Sequence, residues 1–492
     1  MNHSKSYRLA NYRLMAFICG ALLLVLAAAM LLPLVVSLIV DDGALPALLI
    51  SEAVNIVLGC LLYFLAGHRH DNELLGRESF WTTAFAWILV PLAGAVPFML
   101  PPLSLSPADA IFESVSGFTT TGSSVIPSPE ALPLSLLRWR HISQWLGGLG
   151  LMLIIVALHR NLRVGSLRLY DAEFSGTVQR KLHPRIATSV SYMWQVYLIL
   201  TVVLFAGLLA CDNGLRTSFC LALSAVSTGG FLPSSDALAS ANVPSLVLIG
   251  LFMWFSGVNV ALLHHLFHGR VSNLFRDDEF RTYSAVSLFA ALACFLALSF
   301  SGGNSWHSLG YCFFHVSSTI STCGLVIDNS VAWPPLVCVV TFLLVILGAS
   351  SGSTGGGIKV KRIMILRRYV NNYISRMLHP NVVFSVRLNG VSLSGDYVAK
   401  VFAFLFLYVL FVVAGGGVLA LCGCDIPTAL TVAAANIANL GPTPLINSLS
   451  PLFSYAALPL AAKVSLMVLM IAGRIEIFAL LALFSPAYWH KR

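Results

Sequence analysis

The sequence predicts an all-α integral membrane protein, mainly because apolar residues dominate its composition. Hydrophobic residues make up 58% of the 492-residue chain, charged residues only 10%, and the mean hydropathy is +0.85. Ten apolar runs approach or exceed the roughly 20 residues that a helix needs to cross a bilayer. The runs cover 12–40, 46–67, 79–101, 137–159, 187–211, 243–267, 281–301, 333–349 and onward, 397–423 and 457–485. We therefore expect ten transmembrane helices.

The first two runs are expected to form an N-terminal helix pair within residues 1–75. Residues 12–40 are too long for the apolar core of a signal peptide, and the second run follows directly. Basic residues near helix ends stay on the cytoplasmic side of a membrane. Most of the 29 Lys and Arg fall on one side if the chain crosses ten times and both termini are cytoplasmic. The net charge of +9 thus requires no nucleic-acid partner.

Four short segments, each ending in a glycine, recur about 100 residues apart and form an internal repeat. They read TTTG at 119–122, STGG at 227–230, STCG at 321–324 and ANLG at 438–441. Each follows a helix-forming stretch that is too short to span a membrane. These stretches are 107–118, 215–226, 305–320 and 427–438. Ser106, Asn304 and Asp425 are candidate N-caps, and we expect the stretches to re-enter from the outer side, with their partly negative C-terminal ends toward the membrane centre.

Non-helical backbone is expected after each short helix, at a depth where it is tolerated only inside protein or beside a water-filled path. Glycine permits positive φ, so successive carbonyl groups can face one axis. Rings of carbonyl oxygens replace the hydration shell of the cation in potassium channel filters. The sequence thus predicts four pseudo-symmetric helix/pore-loop/helix modules around one pore, in addition to the N-terminal pair. The expected modules are 76–165, 166–270, 271–385 and 386–492.

The predicted ion-binding residues are the last three of each repeated segment, and potassium in this filter is the only metal expected. They are Thr120, Thr121, Gly122, Thr228, Gly229, Gly230, Thr322, Cys323, Gly324, Asn439, Leu440 and Gly441.

Six motifs carry a resemblance to a known family. They are SVSGFTTTGSSV (114–125), SQWLGGLG (143–150), SAVSTGGF (224–231), SGSTGGGIKV (351–360), ANLGP (438–442) and GRIEIF (473–478). The chain resembles the membrane subunit of Trk-type potassium uptake systems, in the Trk/Ktr/HKT superfamily. The resemblance implies a homodimer in the bacterial cytoplasmic (inner) membrane, surrounded by lipid, and a TrkA-like cytoplasmic nucleotide-binding subunit that regulates the pore. No covalent cofactor is implied; the potassium ion is the substrate.

The sequence departs from the family pattern inside the expected filter. Cys323 stands where the family usually has threonine, and Leu325 where an aromatic residue is common. If backbone carbonyls bind the ion, Cys323 changes little; if a hydroxyl does, one ring loses an oxygen ligand. In the superfamily, serine at the first filter glycine is associated with sodium permeation, so Gly122 favours potassium.

The segment Gly348–Lys359 interrupts the apolar run that begins at Trp333. Seventeen residues of helix reach only about 26 Å, so the interruption would begin inside the membrane, beneath the filter. We expect a movable gate loop, as the resemblance also implies, with a static kink as the alternative. A phosphate-binding loop is disfavoured because Ile358 separates Gly357 from Lys359. The expected gate residues are Ser350, Ser351, Gly352, Ser353, Thr354, Gly355, Gly356, Gly357 and Arg474.

Arg474 is a charge within the last apolar run, where it is costly unless it faces a cavity or a partner. The family resemblance places it beside the gate loop, where it would donate hydrogen bonds to loop carbonyls. An ion pair with Glu113 or Glu476 is the structural alternative. Gly147, Gly148 and Gly150 are expected to be close-packing positions rather than ligands.

Two functions fit these features, and neither is an enzyme, because no catalytic constellation of Ser, Cys or carboxylates is evident. The first is a gated, channel-like potassium pore driven by the membrane potential. The second is a proton- or sodium-coupled potassium symporter. Four loops of the same orientation favour the pore, since many transporters use inverted repeats of opposite topology.

Overall fold

A computed structural model describes residues 12–67, 76–150, 186–269, 271–300, 306–327, 333–379, 385–450 and 453–484. Several predicted features lie outside the described residues. They include the second half of the 137–159 run, the candidate cap Asn304 and both chain ends, 1–11 and 485–492.

The described chain is built almost entirely of α-helices. They are α1 (Tyr12–Val40), α2 (Leu45–Leu65), α3 (Gly76–Gly94), α4 (Val96–Met99), α5 (Pro107–Phe118), α6 (Leu134–Gly148), α7 (Ile186–Ala210), α8 (Gly214–Ser227), α9 (Val243–Ser256), α10 (Val260–Phe267), α11 (Val271–Arg276), α12 (Asp278–Phe300), α13 (Trp306–Ile320), α14 (Pro335–Leu347), α15 (Val360–Leu378), α16 (Gly395–Leu421), α17 (Ile426–Ile437), α18 (Pro444–Leu449), α19 (Leu460–Arg474) and α20 (Glu476–Phe484).

A small β-hairpin is the one departure from helix among the described elements, and the sequence analysis did not predict it. Strands β1 (Arg387–Leu388) and β2 (Val391–Ser392) pair antiparallel. Asn389 and Gly390 connect them with φ values of +48° and +77°. Asn-Gly is the preferred pair for such a two-residue turn.

Six described helices are long and apolar enough to cross a membrane, or seven if one bent pair counts as a single span. The six spans are Tyr12–Val40, Leu45–Leu65, Glu78–Met99, Ser191–Ala210, Asp278–Phe300 and Gly395–Leu421. They coincide with six of the ten expected crossings. The expected crossings at 137–159, 333–349 and 457–485 contain shorter helices.

The run 243–267 was expected to be one crossing, and in the structure it is a sharply bent pair of helices rather than one straight helix. It forms α9 and α10, which meet at an angle of 112°. Gly257 packs against the Tyr283 hydroxyl so closely that a Cβ would collide with it. Asn259 then caps α10 by accepting a hydrogen bond from the Ala261 N–H at 2.9 Å. A continuous apolar run therefore conceals a sharp bend.

The N-terminal pair packs through small residues. A Cβ added at Gly20 of α1 would collide with backbone atoms of Gly59 and Tyr63 in α2. Such residues let membrane helices approach closely. Helix α1 also packs against α3 and α6, which ties the pair to the rest of the fold.

The four short helices α5, α8, α13 and α17 confirm the predicted stretches to within one residue at each end. The Ser106 side chain caps α5 by accepting from the Asp109 N–H at 3.2 Å, and Asp425 caps α17 by accepting from the Thr428 N–H at 3.1 Å. That hydrogen bond from Thr428 lowers the pKa of Asp425. Proline occupies the first turn of both helices, where its missing N–H costs nothing.

The short helices alternate around a closed circle with the helices that follow them. Helix α6 packs against α5 and α8, and α9 packs against α8 and α13. Helix α14 packs against α13 and α17, and α19 packs against α17 and returns to α5. The last repeat thus contacts the first, so the ends of the four short helices surround a common centre.

A substitution at Gly147 tests whether the helices of the circle pack this closely. A Cβ at Gly147 would collide with the Phe118 carbonyl at the end of α5, so we expect Gly147→Ala to destabilise the protein by about 1–3 kcal/mol. Gly417→Ala is the matched control, because a Cβ there meets nothing within 4 Å. Thermal melting of the purified proteins in detergent measures the difference, and equal melting temperatures would contradict the prediction.

Candidate functional site

The four repeated segments share one backbone conformation. The residue two positions before each final glycine is left-handed, with φ of +56° at Thr120, +55° at Thr228, +60° at Thr322 and +54° at Asn439. The glycines also have positive φ, at +81° for Gly122, +80° for Gly230, +79° for Gly324 and +67° for Gly441. A sequence repeat has become a structural repeat.

The left-handed residue ends each short helix in the same way. The N–H of the following residue donates back five positions, in the pattern that closes a helix with a left-handed residue. These bonds are Thr121 to Ser116 at 2.9 Å, Gly229 to Ser224 at 2.8 Å, Cys323 to Ser318 at 2.8 Å and Leu440 to Ala435 at 2.9 Å. The chain thus leaves all four helices in the same direction.

The four loops contact one another in a closed ring, and glycine is required at each contact. A Cβ on any of the four glycines would collide with a backbone carbonyl oxygen of the next loop. Gly122 meets Gly229, Gly230 meets Cys323, Gly324 meets Leu440, and Gly441 meets Thr121. All twelve residues expected in the filter are therefore brought together, in chain order around the circle. We call this set the loop ring.

The Cys323 side chain faces the neighbouring helix. Its Sγ donates a weak hydrogen bond to the Ser224 carbonyl of α8, at 3.7 Å, and the residue is fully buried. The thiol therefore occupies the packing space between two modules. This geometry fits the expectation that a cysteine here changes little if backbone carbonyls bind the ion.

Polar side chains join the first loop to the fourth. The Asn439 Nδ2 donates to the Thr121 Oγ1 at 3.2 Å and to the Met470 carbonyl of α19 at 2.8 Å. Nearby, the Ser123 Oγ donates to the Asn436 Oδ1 at 2.8 Å. These hydrogen bonds join the fourth loop to the first, the two loops that are farthest apart in the sequence.

Gln144 is a ring contact that the sequence analysis missed. It lies on α6, and its Nε2 donates to the Gly229 carbonyl at 2.5 Å. The side chain is fully buried. Gln144 lies in the motif SQWLGGLG, whose glycines drew attention as packing positions. No sequence signal singles it out, because α6 also contains Arg138, Arg140 and His141.

A buried ion pair supports the chain segments that follow the first two loops. Arg140 Nε lies 2.5 Å from Glu113 Oε1, with 2% and 0% of the side chains exposed. Glu113 also accepts from the Val125 N–H at 3.0 Å, just beyond the first loop. Arg140 donates to the Leu232 carbonyl at 3.2 Å and stacks 3.6 Å above the Phe231 ring, just beyond the second. From the sequence alone, Glu113 was predicted only as a possible partner for Arg474.

The Ser/Gly segment between α14 and α15 is non-helical, as predicted, and it fills the bend between α9 and α10. The Ser350 N–H donates to the Gly257 carbonyl at 3.0 Å, and the Val260 N–H donates to the Gly352 carbonyl at 3.1 Å. The segment thus satisfies backbone groups that the helix break leaves without intrahelical partners. On its other side, the Ser351 N–H donates to Glu279 Oε1 at 2.6 Å.

This segment also contacts the loop ring directly. The Gly356 N–H donates to the Thr322 Oγ1 at 2.6 Å, and the Thr228 Oγ1 lies 3.3 Å from the Thr354 Oγ1. A Cβ at Gly355 would collide with the Ser321 carbonyl, and one at Gly356 with that of Ala438. The segment therefore packs against the C-terminal ends of three of the four short helices.

Arg474 lies beside the segment and donates to backbone carbonyls. Its Nη1 bonds the Thr354 carbonyl at 2.8 Å, and its Nη2 bonds the Gly148 carbonyl at 2.6 Å and that of Gly147. One guanidinium therefore links the Ser/Gly segment to the end of α6. The Trp87 ring of α3 lies 5.7 Å from the guanidinium carbon.

The carboxylates considered as partners for Arg474 form ion pairs with other arginines. Glu113 pairs with Arg140, and Glu476 pairs with Arg362 of α15. Gly147 and Gly148 are close-packing positions as predicted, because a Cβ on either would collide with neighbouring atoms. Lys359 bends back toward its own segment and donates to the Gly355 carbonyl.

Comparison with known proteins decides the family. Residues 44–491 match the model of the TrkH family, described as cation transport protein. The chain belongs to the TrkH family. Its potassium uptake relatives include the Trk system potassium uptake protein TrkH of Salmonella typhimurium, with 33% identity over 98% of this chain and all of that protein. The protein of the same name from Escherichia coli K12 is 31% identical over the same shares.

A solved structure of the TrkH family has the same fold. The crystal structure of the potassium transporter TrkH from Vibrio parahaemolyticus superposes with a TM-score of 0.86 at 28% identity. The match covers 97% of this chain and all of that one. The family resemblance read from the motifs is therefore confirmed.

The Glu113–Arg140 pair generates a prediction for the stability of the ring. We expect Arg140→Met to cost about 3–5 kcal/mol, because it leaves the Glu113 carboxylate buried without its cation. The double variant Arg140→Met, Glu113→Gln should recover part of that loss, since the buried charge is then absent. Melting temperatures of the two proteins measure the recovery. A double variant that is less stable than Arg140→Met would contradict this account.

Proposed function

We propose that this protein takes up potassium ions across the cytoplasmic membrane through a gated, channel-like pore, and that it is not an enzyme. The observation that carries the proposal is the closed loop ring, in which four segments with matching torsions abut in chain order. A ring of this kind presents backbone groups to a common centre from four sides. Its relatives named as potassium uptake proteins indicate which cation it serves.

The twelve residues of the loop ring form the proposed selectivity filter. Carbonyl oxygens of the ring would replace water around a dehydrated cation. The C-terminal ends of α5, α8, α13 and α17 meet at the ring, and their partial negative charge favours a cation there. The membrane potential supplies about 2.3 kcal/mol per charge for each 100 mV, which drives entry without a coupled ion.

The Ser/Gly segment is the proposed gate. It packs against three of the four helix ends, and Arg474 places a positive charge beside it. In this arrangement the segment obstructs the path beneath the filter, and movement of α14 and α15 would withdraw it. A cytoplasmic TrkA-like nucleotide-binding subunit is the proposed source of that movement.

The proposal includes a membrane topology for the protein. The chain crosses the membrane ten times, as an N-terminal pair and four modules, with both termini in the bacterial cytoplasm. The short helices α14 and α19 continue their crossings through the breaks at 348–359 and at Ile475. The proposed assembly is a homodimer in the inner membrane, with no nucleic acid bound.

Ion flux through purified protein in liposomes tests the function. We expect passive, potassium-preferring flux that follows an imposed voltage without a proton or sodium gradient. Gly122→Ser should raise sodium permeability relative to potassium severalfold, because its Cβ would displace the Gly229 carbonyl. Gly214→Ser is the control: φ is +67° there, but a Cβ meets nothing within 4 Å.

Each outcome of that experiment decides a separate point. Flux that needs a second ion gradient would make the protein a coupled symporter instead of a channel-like pore. A permeability ratio that is the same in Gly122→Ser and Gly214→Ser would exclude Gly122 from the filter.

Arg474 provides the test of the gate. We expect Arg474→Ala to raise potassium flux in the absence of other subunits about tenfold, because a charge-assisted hydrogen bond to the Thr354 carbonyl contributes about 1.5–3 kcal/mol. Lys463→Ala is the matched control. Lys463 lies on the same helix and pairs with Asp109 at 2.6 Å, and its described partners, Asp109 and the Ala456 carbonyl, lie outside the gate segment. A lower melting temperature with unchanged flux in Arg474→Ala would assign the arginine a structural role only.

A further inference from the structure

A groove of about 830 Å³ lies between α12, α14 and α15, away from the loop ring. One end is charged, where Arg281 of α12 meets Arg367 and Arg368 of α15. The remaining length is apolar and runs between residues such as Phe289 of α12 and Leu343 of α14. We propose that this groove binds one anionic phospholipid, with its phosphate on the arginines and an acyl chain along the apolar half.

The length of the groove matches one leaflet of a bilayer. Its lining on α12 extends from Asp278 to Ala293, which is about 22 Å at helical rise, of which about 18 Å lies beyond Arg281. Half of a hydrocarbon core of about 30 Å is about 15 Å. Helix α12 is one of the six spans, so its charged first turns lie at headgroup depth while Ala293 lies near the membrane centre.

The charge at the headgroup end suits a phosphate diester. Arg368 donates to Asp278 at 2.9 Å, which neutralises one carboxylate with one arginine. Arg281 and Arg367 are exposed and bring the lining to a net positive charge. Guanidinium groups bind phosphate oxygens with paired hydrogen bonds, and basic pockets between membrane helices bind anionic headgroups.

The apolar half favours a lipid over a soluble anion. Phe289 and Leu343 are 77% and 60% exposed, so the groove presents a wide apolar surface next to its arginines. A free phosphate would leave that surface uncovered. A phospholipid matches both halves with one molecule, because its headgroup and acyl chain have the same order along the membrane normal.

The groove is connected to both ends of the Ser/Gly segment. Leu347 is the last residue of α14 before the segment, and Met364 lies in the first turns of α15 after it; both line the groove. Glu279, next to Asp278, accepts a hydrogen bond from Ser351 within the segment. A lipid that bridges the three helices stabilises the arrangement described here. If the proposed gate is correct, an anionic lipid therefore lowers potassium flux.

Native mass spectrometry of the full-length protein tests binding without any assay of transport. We expect the first phosphatidylglycerol to bind about tenfold more tightly than phosphatidylcholine. Arg281→Gln with Arg367→Gln should abolish that preference. Arg276→Gln with Lys400→Gln is the matched control, because both residues are exposed and basic but lie outside the groove. Ala285→Trp should weaken both lipids by filling the groove without a change of charge.

Three results would overturn the lipid site. They are an equal affinity of wild type for the two lipids, an equal loss in the control pair, and displacement of phosphatidylglycerol by glycerol 1-phosphate alone. If the groove variants change the monomer–dimer ratio while lipid binding is unchanged, the occupant is a second copy of the chain.

Flux in liposomes with and without phosphatidylglycerol tests the consequence for the gate. We expect lower flux with the anionic lipid in wild type and no such difference in the Arg281→Gln, Arg367→Gln variant. Absence of flux in every lipid would contradict the proposed function and leave the binding result intact. Flux that is independent of lipid, together with selective binding, would overturn the link between the groove and the gate.

Discussion

The structure depends on one constraint: backbone polar groups at membrane depth must find partners within the protein, because hydrocarbon supplies none. Three sets of non-helical backbone lie among the helices. The loop ring, the bend between α9 and α10 and the Ser/Gly segment satisfy one another. Gly257 and Val260 at the bend bond to Ser350 and Gly352 of the segment, and the segment bonds to Thr322 of the ring. None of the three could exist in lipid alone.

Buried charged side chains also need partners within the protein, and they lie in two different regions of the structure. Glu113–Arg140 lies beside the chain that follows the first two loops, whereas Arg362–Glu476 and Arg474 lie on the side of the Ser/Gly segment. Arg474 donates to carbonyl oxygens of the segment and of α6.

The features that were predicted correctly have sequence signals within a few residues of them or recur along the chain. Ser106 and Asp425 mark helix starts because each is followed by proline and by an N–H that needs an acceptor. The four glycines were found because they repeat. The bend at 257–259 was missed because an apolar run carries no mark of a break that is stabilised by residues about 100 positions away. Arg140 was passed over for a similar reason, since its carboxylate lies on another helix. The function of individual ring residues stays a prediction.

The left-handed residues of the ring have a further consequence. Glycine would adopt this conformation without strain, whereas threonine incurs about 1–3 kcal/mol. Yet Thr228 and Thr322 occupy two of these positions, and both hydroxyls contact the Ser/Gly segment. The residues that end the short helices are therefore also the surface on which the segment rests. In the proposed function, ion recognition and closure therefore share the same residues, so a substitution at Thr228 or Thr322 would change both properties.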